Sequence, residues 1–119
     1  MVQNNILAEK STEFGTRMVR FNQFLCKEKK EFILSKQIYR SGTSIGANIH
    51  EGIYAQSKPD FISKLSIALK EAGETSYWLK VLYRAEYIDE PLFKSLKNDC
   101  DELIKILTST IKSSKDNNL

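Results

Sequence analysis

Between Phe61 and Leu82 the residues Phe61, Leu65, Ala68, Ala72, Thr75, Leu79 and Leu82 follow one another at intervals of 4, 3, 4, 3, 4 and 3. Held without a break for three heptads, that spacing puts every one of these side chains on a single face of an α-helix. A strand, whose faces alternate every second residue, would scatter them to both sides. A helix with so long an apolar face is stable only when other helices cover it. The rest of the chain is therefore expected to supply them.

Leu7, Phe14, Met18, Phe21 and Leu25 recur at 7, 4, 3 and 4, the period of one helical face, and predict a first helix over about 5–29. Charge then crowds into Lys27, Glu28, Lys29, Lys30 and Glu31, which reads as an inter-helix turn. Leu34, Ile38, Ile45, Ile49 and Ile53 predict a second helix over about 32–56. Its weak point is Ser41, Gly42, Thr43 and Ser44, with Gly46 beyond. Each glycine costs a helix about 1 kcal/mol relative to alanine, so a loop is the competing reading. Helical phase is kept across the gap, which favours one continuous helix whose glycines sit where a neighbouring backbone comes close.

Ser57, Lys58, Pro59 and Asp60 form a helix start, with Ser57 as N-cap, proline in the first turn and an acid three residues after the cap. The third helix then covers about 58–86. Asp89, Glu90 and Pro91 repeat that signal with Asp89 as N-cap. Phe93, Leu96, Cys100, Leu103, Leu107 and Ile111 carry a fourth helix over about 90–113, and 115–119 is expected to fray. With 119 residues, five glycines and two prolines, the chain suits one helical domain over 1–114. Short connections force neighbouring helices to run in opposite directions. The expected fold is all-α, an antiparallel up-down-up-down four-helix bundle assembled as a cyclic homo-oligomer.

Little in the sequence points to catalysis, a cofactor or a metal. His50 and Glu51 begin like a zinc-binding HExxH, but position 54 is Tyr rather than the second His. Cys100 falls on the apolar seam of helix 4, and Cys26 has no histidine near it in sequence. Gly42, Gly46 and Gly52 lack the Lys-Ser/Thr pair of a phosphate-binding loop. The two cysteines are not in CxxC spacing, which together with the absence of an apolar run of about 18–20 residues or of a signal-like N-terminus predicts a cytoplasmic protein.

Three surface features carry more information. Arg40, Ser44, Asn48 and Glu51 fall within about an 80° arc beside the helix 2 seam, an inter-helix polar line whose charges need partners on neighbouring helices or in a ligand. Lys10, Arg17, Arg20 and Lys27 share about a 100° stripe on helix 1 with Phe24 among them. Cations so spaced can meet successive phosphates and Phe24 can stack on a base; the plainer reading is a solvated charged face with Phe24 at a subunit contact. Residues 1–30 hold six basic and three acidic side chains, whereas 89–119 hold five and six, so the excess behind the net charge of +3 lies in the first helix. Finally, Ile67 and Trp78 flank the helix 3 seam and predict an oligomer interface.

RSGTSIGANIHEG at 40–52 and AQSKPDFISKLSIALKEAGETSYWL at 55–79 closely resemble the bacterial four-helix-bundle proteins encoded by intervening sequences within 23S ribosomal RNA genes. The resemblance runs from NNILAEKSTEF to CDELIKILTSTIK, nearly the whole chain. It departs at His50, where that family often has an acid, and at Gly73, where it often has arginine. The family is in turn similar to the accessory protein of diversity-generating retroelements, which implies a homopentamer that engages nucleic acid and a reverse transcriptase.

Residues and resemblance together predict a non-enzymatic oligomeric helical bundle that binds RNA or DNA, or a nucleoprotein partner, through a basic surface. The alternative is a protein-binding scaffold oligomer without nucleic-acid contact.

Overall fold

The computed structural model describes residues 2–116, four helices and, among those residues, no strand. They are α1 (Val2–Glu28), α2 (Leu34–Ile53), α3 (Lys58–Arg84) and α4 (Glu90–Asp116). No helix among the described residues is long and apolar enough to cross a membrane. Each of α1–α2, α2–α3 and α3–α4 packs closely, and α1 meets α4 more sparsely to close the ring. The molecule is elongated, 51 × 21 × 20 Å.

One core runs the length of the molecule. Phe14, Met18 and Leu25 of α1, Ile38, Ile45 and Ile49 of α2, Leu65, Leu79 and Leu82 of α3, and Leu96, Leu103 and Leu107 of α4 are all buried. Ala68 and Ala72 keep the middle of α3 slim where Cys100 of α4 points its thiol at the Ala72 carbonyl, 3.3 Å away. Between α2 and α3 the buried hydroxyls of Ser41 and Thr75 bond to each other at 2.8 Å, so neither is left bare in the core.

Helix α2 is continuous through Ser41–Ser44; Gly42 and Gly46 mark close contacts with α1, and Gly52 one with Leu65 of α3. A Cβ on Gly46 would stand 3.2 Å from the backbone oxygen of Ser11, and one on Gly42 would run into the Met18 side chain. The small side of α2 thus lets two helix backbones approach.

Helix ends differ from the sequence-based bounds in instructive ways. α2 begins at Leu34 rather than 32, because the residues before it form a cap. Lys30 takes a left-handed conformation (φ 53°), and the buried Glu31 carboxylate accepts hydrogen bonds from the backbone N–H groups of Ser35 (2.6 Å) and Ile33 (3.3 Å). Two first-turn amides that a helix cannot satisfy itself are met by one carboxylate. α2 ends at Ile53 rather than 56, with the Ala55 N–H bonded to the Gly52 carbonyl. Ser57 accepts from the Asp60 N–H, and Asp89 accepts from the Leu92 N–H. α3 closes with Glu86 left-handed (φ 67°), the Tyr87 N–H on Leu82 and the Glu86 N–H on Tyr83. α1 starts at Val2, three residues before the expected bound, and α4 continues to Asp116, past its expected end at 113; of the tail, 117–119 lie outside the described residues.

Gly73 and Glu86 are among the backbone sites that carry the less favourable residue type. Gly73 is exposed in mid-helix with nothing within 4 Å of its would-be Cβ, while Glu86 holds a conformation that glycine adopts freely. Gly73→Ala and Glu86→Gly are each expected to stabilise the fold by about 1 kcal/mol, raising the thermal midpoint by roughly 4 °C in calorimetry. A fall in midpoint for either would contradict the assigned backbone.

Candidate nucleic-acid interface

The basic stripe of α1 lies along its seam with α4, and that placement divides it. The Lys10 ammonium pairs with Glu102 at 3.1 Å. The Arg17 guanidinium pairs with Asp99 at 2.7 Å and donates to the Ser95 hydroxyl at 3.0 Å and to the Ser95 carbonyl at 3.4 Å. Ser95, Asp99 and Glu102 are spaced 4 and 3 along α4, one edge of that helix, so the acidic edge of α4 meets the basic edge of α1. Arg20 and Lys27 are exposed and enter no ion pair among the described residues. The expected set of four free cations is therefore reduced to two.

Between α1 and α4, Arg17, Arg20, Phe21, Phe24, Leu92 and Leu96 line a groove of 320 Å³. Three of the five stripe residues come together there, and Lys10 and Lys27 do not. Phe24 is half-buried, stacked on Phe21 with ring centres 6.3 Å apart, and the Lys29 ammonium stands 5.9 Å from its ring centre. Much of its ring surface is already occupied, so it is a poor platform for an incoming base.

The polar line of α2 finds its partners on α3. Arg40 donates to the Glu71 carboxylate at 2.9 Å and to Glu74, and the Glu74 carboxylate also accepts the Trp78 indole N–H at 3.0 Å. Glu51 pairs with Lys64 at 3.0 Å. Ser44 spends its hydroxyl on the Arg40 carbonyl and Asn48 spends its amide N–H on the Ser44 carbonyl. The arrangement is a tie between two helices. It also joins two features that looked separate in the sequence, since Glu74 bridges the polar line to Trp78. Ile67 is 40% exposed, and Tyr77, 58% exposed, meets Trp78 edge-on at 5.1 Å. Tyr77 was not anticipated; no seam or charge pattern singles it out.

The remaining reactive side chains are dispersed. Burial pushes the Cys100 thiol up to about 12, with the Asp101 charge adding to the effect, so it stays protonated. His50 holds its Nδ1 2.7 Å from the Gly46 carbonyl and borders a shallow hollow with Tyr54 and Lys64. Among the described residues no three His, Cys, Asp or Glu side chains are grouped to hold a metal.

The family profile described as 23S rRNA-intervening sequence protein matches residues 3–109. The chain belongs to that family. Among solved structures it is similar to a protein with unknown function from the S23 ribosomal protein family of Bacteroides thetaiotaomicron VPI-5482, crystallised at 1.70 Å resolution. The two are 55% identical over 92% of this chain and 98% of that one, with a TM-score of 0.91. No curated protein gives a significant match. Membership of the 23S rRNA-intervening sequence family brings no established activity, so the chemistry has to be read from this chain's own side chains.

The Arg40–Glu74 contact makes a pH prediction. The hydrogen bond from Arg40, and after it that from Trp78, holds the Glu74 carboxyl below its ordinary value of 4.5. A carboxylate whose folded value is depressed stabilises the fold above its unfolded value, and that contribution is lost as pH falls through the folded one. Melts of Glu74→Gln between pH 7 and pH 3 should therefore show lower stability at pH 7 and a shallower loss below about 4.5 than the parent. An unchanged pH profile would mean the contact contributes nothing.

Proposed function

We propose that this protein is a non-enzymatic helical scaffold, an antiparallel up-down-up-down bundle working as a cyclic homo-oligomer in the cytoplasm, that binds RNA or DNA through a basic surface. The observation that carries the reading is the pair of unneutralised cations, Arg20 and Lys27, two turns apart on the outer flank of α1. An ion-paired arginine offers a polyanion little net charge, whereas these two keep theirs. Cross-pairs in which one residue number rises as the other falls, such as Lys10–Glu102 with Arg17–Asp99, support the antiparallel course. Exposed Tyr77 against half-buried Trp78, with exposed Ile67 about three turns earlier on α3, supports a subunit contact, and the family resemblance implies five copies. The two free thiols suit a reducing compartment.

In a ring each subunit repeats the same cations, so weak contacts add through raised effective concentration. The runner-up, a protein-binding scaffold without nucleic-acid contact, draws support from the commitment of Lys10 and Arg17 to α4.

Light scattering at tens of micromolar should give a mass that is a multiple of 13.7 kDa; a strictly monomeric mass would remove the ring. Binding to a labelled single-stranded oligonucleotide should weaken as salt rises. Arg20→Gln with Lys27→Gln should flatten the log–log salt slope by about 0.7 for each phosphate that is no longer neutralised, while helicity and mass stay the same. Equal slopes for parent and variant would make the stripe a solvated face and put the scaffold reading first.

A further inference from the structure

The most exposed apolar pair on one turn is Phe32 and Ile33, at 53% and 75% exposure. They stand between α1 and α2, in the stretch Lys27 to Lys36 that holds Lys27, Lys29, Lys30 and Lys36. Lys27, Lys30 and Lys36 are exposed and make no ion pair among the described residues, and Lys29 reaches over the Phe24 ring. The acids of this stretch are Glu28, which is exposed, and Glu31, whose carboxylate is buried on backbone amides.

The presentation of this pair is held in place. Glu31 accepts from the Ile33 and Ser35 N–H groups, Asn22 of α1 donates its side-chain amide to the Ser35 carbonyl at 3.2 Å, and the Cys26 thiol lies 3.7 Å from the Ser35 hydroxyl. The turn is thus tied to both helices it joins. An exposed apolar pair on a fixed backbone, flanked in sequence by exposed cations without ion pairs, has the character of a contact surface.

We infer that this turn is where nucleic acid is held, with Phe32 as the stacking platform for an unpaired base and Lys27, Lys30, Lys36 and Arg20 as contacts to flanking phosphates. The inference rests on the nucleic-acid reading above and deepens it by naming the base-contacting residue and the substrate class, a single strand. Phe32 rather than Phe24 takes the stacking role, because its surface is open where that of Phe24 is covered by Phe21 and Lys29. Stacking tolerates any base, and cations add the backbone attraction, a combination that suits single strands without strong sequence preference. The free cations also continue away from the turn: Arg20 is seven residues before Lys27, about 10 Å back along the helix. A flexible strand can follow such a track, whereas a flat anionic bilayer would meet only the cations at the turn.

The test is fluorescence anisotropy with a labelled 20-nucleotide oligouridylate at low salt, using the full chain and its Phe32→Ala, Phe32→Trp and Ile33→Ser variants. Light scattering on each and sedimentation with phosphatidylserine vesicles accompany it. Phe32 is exposed, so the fold should survive. Phe32→Ala is expected to weaken binding by roughly 5- to 150-fold, the span of a single base–aromatic stack, with Phe32→Trp close to the parent and Ile33→Ser affected less. If the parent binds and Phe32→Ala binds equally well, this inference fails while the nucleic-acid function stands. If the parent does not bind at low salt, the functional reading itself fails. Vesicle binding that disappears in Phe32→Ala without oligonucleotide binding would make the turn a membrane contact, and a changed mass in Phe32→Ala would make it a subunit contact. Either result overturns the inference.

Discussion

The close approach of α1 and α2 is the constraint on which the other arrangements depend. With hydrogen in place of a side chain at Gly46, the backbone of α2 comes up against the Ser11 carbonyl, and Gly42 leaves room for Met18. One flank of α2 is thereby filled by α1. Its polar line, on the other flank, faces α3, and Arg40 and Glu51 take their partners there. The far flank of α1 is left to α4, which it meets through Lys10–Glu102 and Arg17–Asp99 rather than through a broad apolar contact.

Those surface ion pairs add little stability, about 0–1 kcal/mol each, yet they decide which charges remain available. A net charge of +3 says nothing about where an anion would settle. Pairing takes Lys10, Arg17, Arg40, Lys64, Lys94 and Lys97 out of the surface field. Of the exposed cations among the described residues that have no ion pair, Arg20, Lys27, Lys30 and Lys36 gather along the last third of α1, the turn after it and the start of α2, whereas Lys70, Lys80, Arg84, Lys105, Lys112 and Lys115 are spread over α3 and α4. The imbalance between a basic first helix and an acidic last one is in part internal complementarity, through Lys10–Glu102 and Arg17–Asp99, and the unpaired cations of α1 lie toward the α1–α2 turn.

Much of the helix pattern was legible in the residues. The unbroken 4-3 seam of α3, the Ser57 and Asp89 caps and the continuity of α2 through its glycines all depend on local spacing and local chemistry, which a sequence carries openly. What was hidden depends on register between helices or on turns with unexpected residues. Glu31 looked like part of a charged run but caps α2 with a buried carboxylate. Lys30 and Glu86 take left-handed conformations where glycine would have advertised the helix end. The stripe residues Arg17, Arg20 and Phe24 do share a groove, but Ser95, Asp99 and Glu102 become visible as partners only once α1 and α4 are known to be neighbours in this register. Phe24 and Phe32 are indistinguishable as letters, and only the three-dimensional course of the turn separates the covered ring from the open one.

The placement of nucleic acid at the α1–α2 turn is tested most directly by ultraviolet crosslinking of bound oligouridylate to the native protein, with the attached peptides mapped by mass spectrometry. Crosslinks concentrated within residues 20–36, with Phe32 the principal site and a yield that falls with salt, are the expected result. Crosslinks confined to the outer faces of α3 and α4, or a yield no greater than for a neutral helical control, would contradict it.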